Sequence, residues 1–240
     1  MKSREALRIL AEVSEPQWGL VTSAQARARG VTHMNLTRLA DSGDLVRLAH
    51  GVYRDAGTPS DEFEGLRAAW LAADPSRIAE ERLQDLPGGA VVMGESAALL
   101  HGVGDLPADR HELSTAVRRQ SQRPEVSYRQ RQLEPADVTI THGLPVTTIE
   151  RTVTDLVEAR TDLSLVADVV RDAAQTRRLD TNRLKELLGP LAARNGLRKG
   201  DGAALLDETP KVGVNGFRGM SHRMASRWIS LDVVRFVRDR

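Results

Sequence analysis

Apolar residues along this chain recur at helical spacing in some stretches and in short bounded runs in others, and the two patterns follow one another in an informative order. Over residues 2–14, Leu7, Leu10, Ala11 and Ser14, with Ala6 and Ile9 beside them, keep the period of an amphipathic helix, which Pro16 and Gly19 end. Leu20 and Val21 make a short apolar step before Thr22 and Ser23, either of which suits the cap of a second helix over 24–29, stopped by Gly30. Thr32 caps a third helix over 33–42, with Leu36, Leu39 and Ala40 inward and Gly43 at its end. Leu45 to Leu48 and Val52 to Arg54 flank the turn Ala49-His50-Gly51 and predict a hairpin. Helix, helix, short turn, helix, hairpin is the order of a winged helix-turn-helix, which sets a first domain at 1–56.

Beyond it the pattern changes. An amphipathic helix over 61–73 carries Phe63, Leu66 and Trp70, after which Pro75, Pro87 and Gly88-Gly89 interrupt the chain. Strand-like runs at 90–93, 111–117, 126–130, 138–141 and 144–147 predict a small sheet, with a helix over 96–101 between the first two. From Ile149 to about Asn195 helical periodicity dominates through Val153, Leu156, Val166, Val169, Val170, Leu184, Leu187 and Leu188, and a last short helix follows near 200–207. The fold class expected is α+β: an N-terminal winged helix-turn-helix, then a mixed domain over 57–209 with a small β-sheet and a C-terminal helical half. Residues 210–240 keep no period and read as a basic tail.

Composition narrows the chemistry. With 240 residues and 40% hydrophobics the chain is long enough for real cores, and no run of apolar residues approaches a membrane span or a signal peptide. The absence of cysteine excludes thiol catalysis, disulfides and zinc ribbons and points to the cytoplasm. Only four residues are lysine, so thirty of the 34 cations are arginine. Net charge is only +1, but it is unevenly spread: +2 over 1–56, −7 over 57–109, +4 over 110–132, −3 over 133–209 and +5 over 210–240. Such segregation suits a polyanion site on one face of an otherwise acidic protein.

If Leu36 and Leu39 face the core, His33, Met34, Thr37 and Arg38 turn outward with Asn35 on the margin, and they form the base-facing set of a reader helix. Asp41 turns outward too, where it would repel phosphate. Phosphate contacts fall to Thr22, Ser23 and Gln25 at the opening of the second helix, to Arg29, and to the wing residues Arg47, His50 and Arg54. A second basic stretch, Arg118, Arg119 and Arg123 with Arg129 and Arg131 beyond, reads as a solvated loop or as a contact for a polyanion or an acidic partner, with Tyr128 placed to stack. The six histidines show no metal-ligand spacing, and neither a phosphate-binding glycine loop nor an acid-x-lysine nuclease pair occurs. Gly94-Glu95-Ser96-Ala97-Ala98 lacks the final glycine of a nucleophile elbow, so Ser96 reads as a helix N-terminal hydroxyl. No catalytic residue, metal site or cofactor is expected.

The stretch Gly19-Leu20-Val21-Thr22-Ser23-Ala24-Gln25-Ala26, continuing through Gly30-Val31-Thr32 to Gly51-Val52-Tyr53-Arg54, resembles the winged helix of the AbiEi antitoxins of bacterial abortive-infection (type IV) toxin–antitoxin systems. Two later signatures agree, Glu95-Ser96-Ala97-Ala98-Leu99-Leu100-His101-Gly102 and Val138-Thr139-Ile140-Thr141 through Gly143-Leu144-Pro145-Val146 to Arg151-Thr152-Val153-Thr154-Asp155-Leu156. The resemblance implies a DNA-binding autorepressor that recognises operator inverted repeats in double-stranded DNA, and a C-terminal region that counteracts a nucleotidyltransferase-like toxin. Where relatives often carry arginines near positions 33 and 37, this chain has His33 and Thr37. The competing readings are a stand-alone winged-helix regulator whose second domain binds a ligand or oligomerises, and a degenerate nuclease or hydrolase.

Overall fold

Two consecutive left-handed residues, Trp18 (φ 60°) and Gly19 (φ 73°), turn the chain out of its first helix, and the apolar step that follows forms a strand rather than a linker. The computed structural model describes residues 2–176 and 178–208. It begins with α1 (Ser3–Ser14), a 3₁₀ turn (Glu15–Gln17), β1 (Leu20–Thr22), α2 (Ser23–Ala28), α3 (His33–Asp41), β2 (Leu45–Ala49) and β3 (Val52–Asp55). These strands form an antiparallel sheet of order β1-β3-β2, with Val21 opposite Tyr53 and Val46 opposite Arg54. Ala6, Leu10, Val13, Val21, Ala26, Val31, Leu36, Leu39, Leu45 and Tyr53 make its core. The inward stripe of α1 is Ala6, Leu10, Val13 and Ser14, whereas Ala11, expected inside, is exposed. Burying the larger Val13 removes more apolar surface from water than burying Ala11 would.

The chain continues as α4 (Glu64–Ala73), α5 (Ala79–Gln84), β4 (Val91–Val92), α6 (Gly94–His101), β5 (His111–Thr115), β6 (Val126–Gln130), β7 (Val138–Thr141) and β8 (Leu144–Thr147). The five strands lie in the order β6-β5-β4-β8-β7, with β4–β8 and β5–β6 parallel and the other pairs antiparallel. The two-residue β4 sits at the centre of this sheet, both residues fully buried. Fully buried Trp70 anchors the core against Leu66, Leu71, Leu100, Leu113, Leu144 and Val146, its Nε1–H donating to the Ala90 carbonyl at 2.7 Å. Ser96 donates its hydroxyl to Arg110 O (2.8 Å) and accepts from Glu112 N (2.9 Å), which ties α6 to β5. Met93 rather than Ser96 stands at the helix cap.

Leu20 and Val52, from the winged helix, belong to this second core, and Trp18 meets Trp70 edge-on at 6.1 Å between ring centroids. The first compact unit therefore does not stop at residue 56: it runs to Gly102 and takes in Pro107–Thr148 as well. The physical reason is that β1 and β3 present apolar side chains on both faces, Val21 and Tyr53 to the three-helix core, Leu20 and Val52 to the core under Trp70.

The second unit holds Val103–Leu106 and the described residues from Ile149 to Glu208. It comprises α7 (Ile149–Glu158), α8 (Leu163–Gln175) and α9 (Thr181–Leu188), then two 3₁₀ turns and a helix over 202–208. Asp162 and Asp180 cap α8 and α9 through the amides of Ser164 and of Asn182 and Arg183. Val153, Leu156, Val166, Val169, Leu184 and Leu188 are buried, as the helical period predicts. The molecule is thus α+β, with a winged helix-turn-helix, a small sheet and a C-terminal helical half. The tail expected at 210–240 lies outside the described residues.

Candidate nucleic-acid interface

Helix α3 owes its placement to its cap and its stripe. Thr32 in extended backbone accepts from Asn35 N at 3.3 Å, and Leu36 and Leu39 are driven into the core. His33, Met34, Thr37 and Arg38 are consequently exposed, Met34 to 69%, and Asn35 is half-buried with its Oδ1 accepting from the Thr32 hydroxyl. Thr37 turns its hydroxyl back to the His33 carbonyl at 3.1 Å. The face therefore offers an imidazole, a thioether, a methyl-bearing hydroxyl and a guanidinium, groups able to meet the hydrogen-bonding edges and the thymine methyl of base pairs.

The opening of α2 is built differently from what the sequence suggested. Thr22 is wholly buried, accepts from Gln25 N at 3.1 Å and donates its hydroxyl to the Pro75 carbonyl. Gln25, 3% exposed, accepts from Thr22 N (2.9 Å) and from Gln17 Nε2 (2.8 Å) and donates to the Arg77 carbonyl (2.9 Å). Both side chains are consumed in a capping box and in bonds to the α4–α5 connection, so the expectation that they meet phosphate is corrected. Ser23 is half-buried against Gly51 O at 3.2 Å, and Arg29 is exposed.

In the wing, Arg47 and His50 are exposed, with 3.4 Å between Arg47 Nη2 and His50 Nδ1. Arg54 is again a correction: its Nε lies 2.8 Å from Glu64 Oε2, with both side chains mostly buried, and its Nη1 donates to Thr58 O. It links β3 to α4 rather than facing solvent. Arg27, which the sequence reading passed over, lines a cleft of about 380 Å³ with Ser23, His33 and His50. The signal for it was its position four residues after Ser23 on the same face of α2.

The second basic stretch is not one surface. Arg118 is exposed, Arg119 donates to the Ala73 carbonyl, Arg123 lies 3.6 Å from Glu125, and Arg129 and Arg131 are half-buried on or just after β6. Arg119 and Arg123 line an open groove of about 660 Å³ together with Tyr128 and the wing-turn residue His50. Burial pushes the Tyr128 phenol up, while Arg119 and Arg123 beside it pull the other way. Among the described residues no group of three His, Asp or Glu is placed to hold a metal, and no helix is long and apolar enough to cross a membrane.

A capped, outward-facing third helix beside a β-hairpin wing defines the class of protein, a winged helix-turn-helix protein. Residues 8–54 match the family model described as "Transcriptional regulator, AbiEi antitoxin", and residues 90–207 match the "AbiEi antitoxin C-terminal domain". The chain belongs to the AbiEi antitoxin family, and is an antitoxin and DNA-binding regulator. Among solved structures it is similar in fold to the RV2827C protein from Mycobacterium tuberculosis, at 20% identity and a TM-score of 0.53, over 87% of this chain and 78% of that one. No curated protein shows significant similarity to it.

Proposed function

We propose that the protein represses its own operon by docking α3 in the major groove of inverted-repeat operator DNA, and that it counteracts a cognate nucleotidyltransferase-like toxin. One observation carries the DNA half. His33, Met34, Thr37 and Arg38 stand exposed over the buried pair Leu36 and Leu39, flanked by the solvent-facing cations Arg27, Arg29 and Arg47 and by His50. Arg38 reads a guanine edge and the flanking cations neutralise phosphates, so the first sets sequence and the others set affinity. Promoter-reporter repression together with anisotropy titrations on the promoter fragment tests this. Equal affinity for promoter and scrambled DNA at fixed salt would refute it.

For the basic stretch, the shared groove of His50, Arg119 and Arg123 favours a role on nucleic acid over one on the toxin. Two arginines outside the wing then lengthen the footprint beyond the reader helix. The double variant Arg118→Glu with Arg123→Glu separates the roles: loss of operator affinity with intact rescue from the toxin supports the first, the opposite outcome the second. Antitoxicity then falls to the helical half that begins at Ile149, for which co-expression with the toxin is the assay.

A further inference from the structure

A buried arginine with no acidic partner in contact is the least expected group in the first unit. Arg82, on the last turn of α5, is 3% exposed and lies with its guanidinium carbon 3.5 Å from the centroid of the Trp70 ring. Both of its terminal nitrogens are buried without a hydrogen-bond partner among the described residues. A buried charge in that condition is expensive unless something completes its coordination. Burial lowers its pKa to about 10, with Asp74 acting against that and Arg77 and Arg119 adding to it.

The side chain lines a cavity of about 350 Å³, at the small end of the range for small-molecule sites. Arg77 and Arg119 line it too, with Thr115 and the Gly88-Gly89 turn. Two carboxylates, Asp74 and Asp85, share the wall, and Asp85 already holds Arg77 at 2.5 Å. Three guanidinium groups against two carboxylates leave a net positive pocket, and the planar fork of arginine matches an oxyanion better than any other ligand class.

We propose that this cavity is a binding site for a small phosphorylated molecule, whose phosphate group is taken by Arg82, Arg77 and Arg119. The site is joined to the reader. The wall segment between α4 and α5 accepts hydrogen bonds from Thr22 and Gln25 at the start of α2 through the Pro75 and Arg77 carbonyls, and Arg119 is common to this cavity and to the groove beside His50. A ligand that draws on Arg77 and Arg119 acts on the two elements that flank the reader helix, so occupancy is expected to change operator affinity. That regulatory half rests on the DNA-binding reading above; binding itself does not.

The experiment is calorimetric titration of the full-length protein, without DNA, with inorganic phosphate and separately with adenosine monophosphate, at constant ionic strength set by chloride, with acetate as control. Saturable one-site binding is expected, weakened at least about tenfold in Arg82→Met, the counterpart of one charged hydrogen bond. Methionine keeps the packing on Trp70 without the charge. Arg77→Gln, at a half-buried position outside the core, weakens binding several-fold and serves if Arg82→Met does not fold. Tighter binding of the nucleotide assigns the site to a phosphate ester; equal affinities assign it to the free anion. No saturation, equal binding of acetate, or unchanged affinity in both variants overturns the proposal. Phosphate binding without any change in operator affinity overturns the regulatory role.

Discussion

Replacing Gln25 by alanine separates two accounts of the start of α2, since a phosphate contact and a buried strut fail in different measurements. The substitution leaves the Thr22 amide and the Arg77 carbonyl without their partners and removes one of the bonds that fix Gln17, whose Oε1 accepts from Ala79 N at 3.2 Å. Each buried backbone group left unpaired costs about 1 to 3 kcal/mol, and water entering the vacated space offsets part of that, so a loss of about 3 kcal/mol is expected. With a urea slope of about 2 kcal/mol per molar, the unfolding midpoint falls by on the order of 1.5 M. Fluorescence of Trp18 and Trp70, which sit in the core that Gln25 braces, reports the transition. A phosphate contact would instead leave the midpoint in place and flatten the salt dependence of DNA affinity by about one counterion. A midpoint within about 0.3 M of wild type, corresponding to under about 1 kcal/mol, would refute the strut reasoning.

The other expectations concern single side chains. Arg38→Ala weakens operator binding by about 1 to 3 kcal/mol and relaxes preference at one base position, measured by anisotropy on a panel of singly substituted operators. Arg47→Ala lowers affinity for all sequences alike and reduces the slope of log K against log salt by about one, with preference retained. Arg54→Ala, by contrast, leaves that slope unchanged and destabilises the first unit by about 2 to 4 kcal/mol, because Glu64 is left with a buried, unpaired carboxylate. Ser96→Ala costs about 1 to 2 kcal/mol in thermal unfolding through the Arg110 carbonyl and Glu112 amide it serves, and leaves repression intact below the melting range.

Short-range signals were readable along the chain and long-range ones were not. The third helix announced itself through Thr32, the Leu36–Leu39 spacing and Gly43, and the structure places it at His33–Asp41. The strands at 126–130, 138–141 and 144–147 coincide with their apolar runs, since each is bounded by turn residues. Helix α5 escaped because six residues give too few turns for a period to show. The capping box at Thr22 and Gln25 was legible in principle, being the Thr-x-x-Gln pattern itself, and it argues against the phosphate role assigned to both. The Arg54–Glu64 pair and the orphaned guanidinium of Arg82 depend on which elements meet in space, and no local pattern encodes that. That the first compact unit runs on past residue 56 escaped for the same reason: Val52 and Tyr53 look alike as apolar strand residues, yet they serve different cores.

That two-sided strand pair has a consequence for how such a reader diversifies. Because β1 and β3 are held from both sides, the winged helix is not a cassette that exchanges between proteins without remaking the surface under Trp70. If α3 reads the operator as proposed, retargeting is therefore channelled into the four solvent-facing positions His33, Met34, Thr37 and Arg38, where a substitution leaves folding nearly untouched.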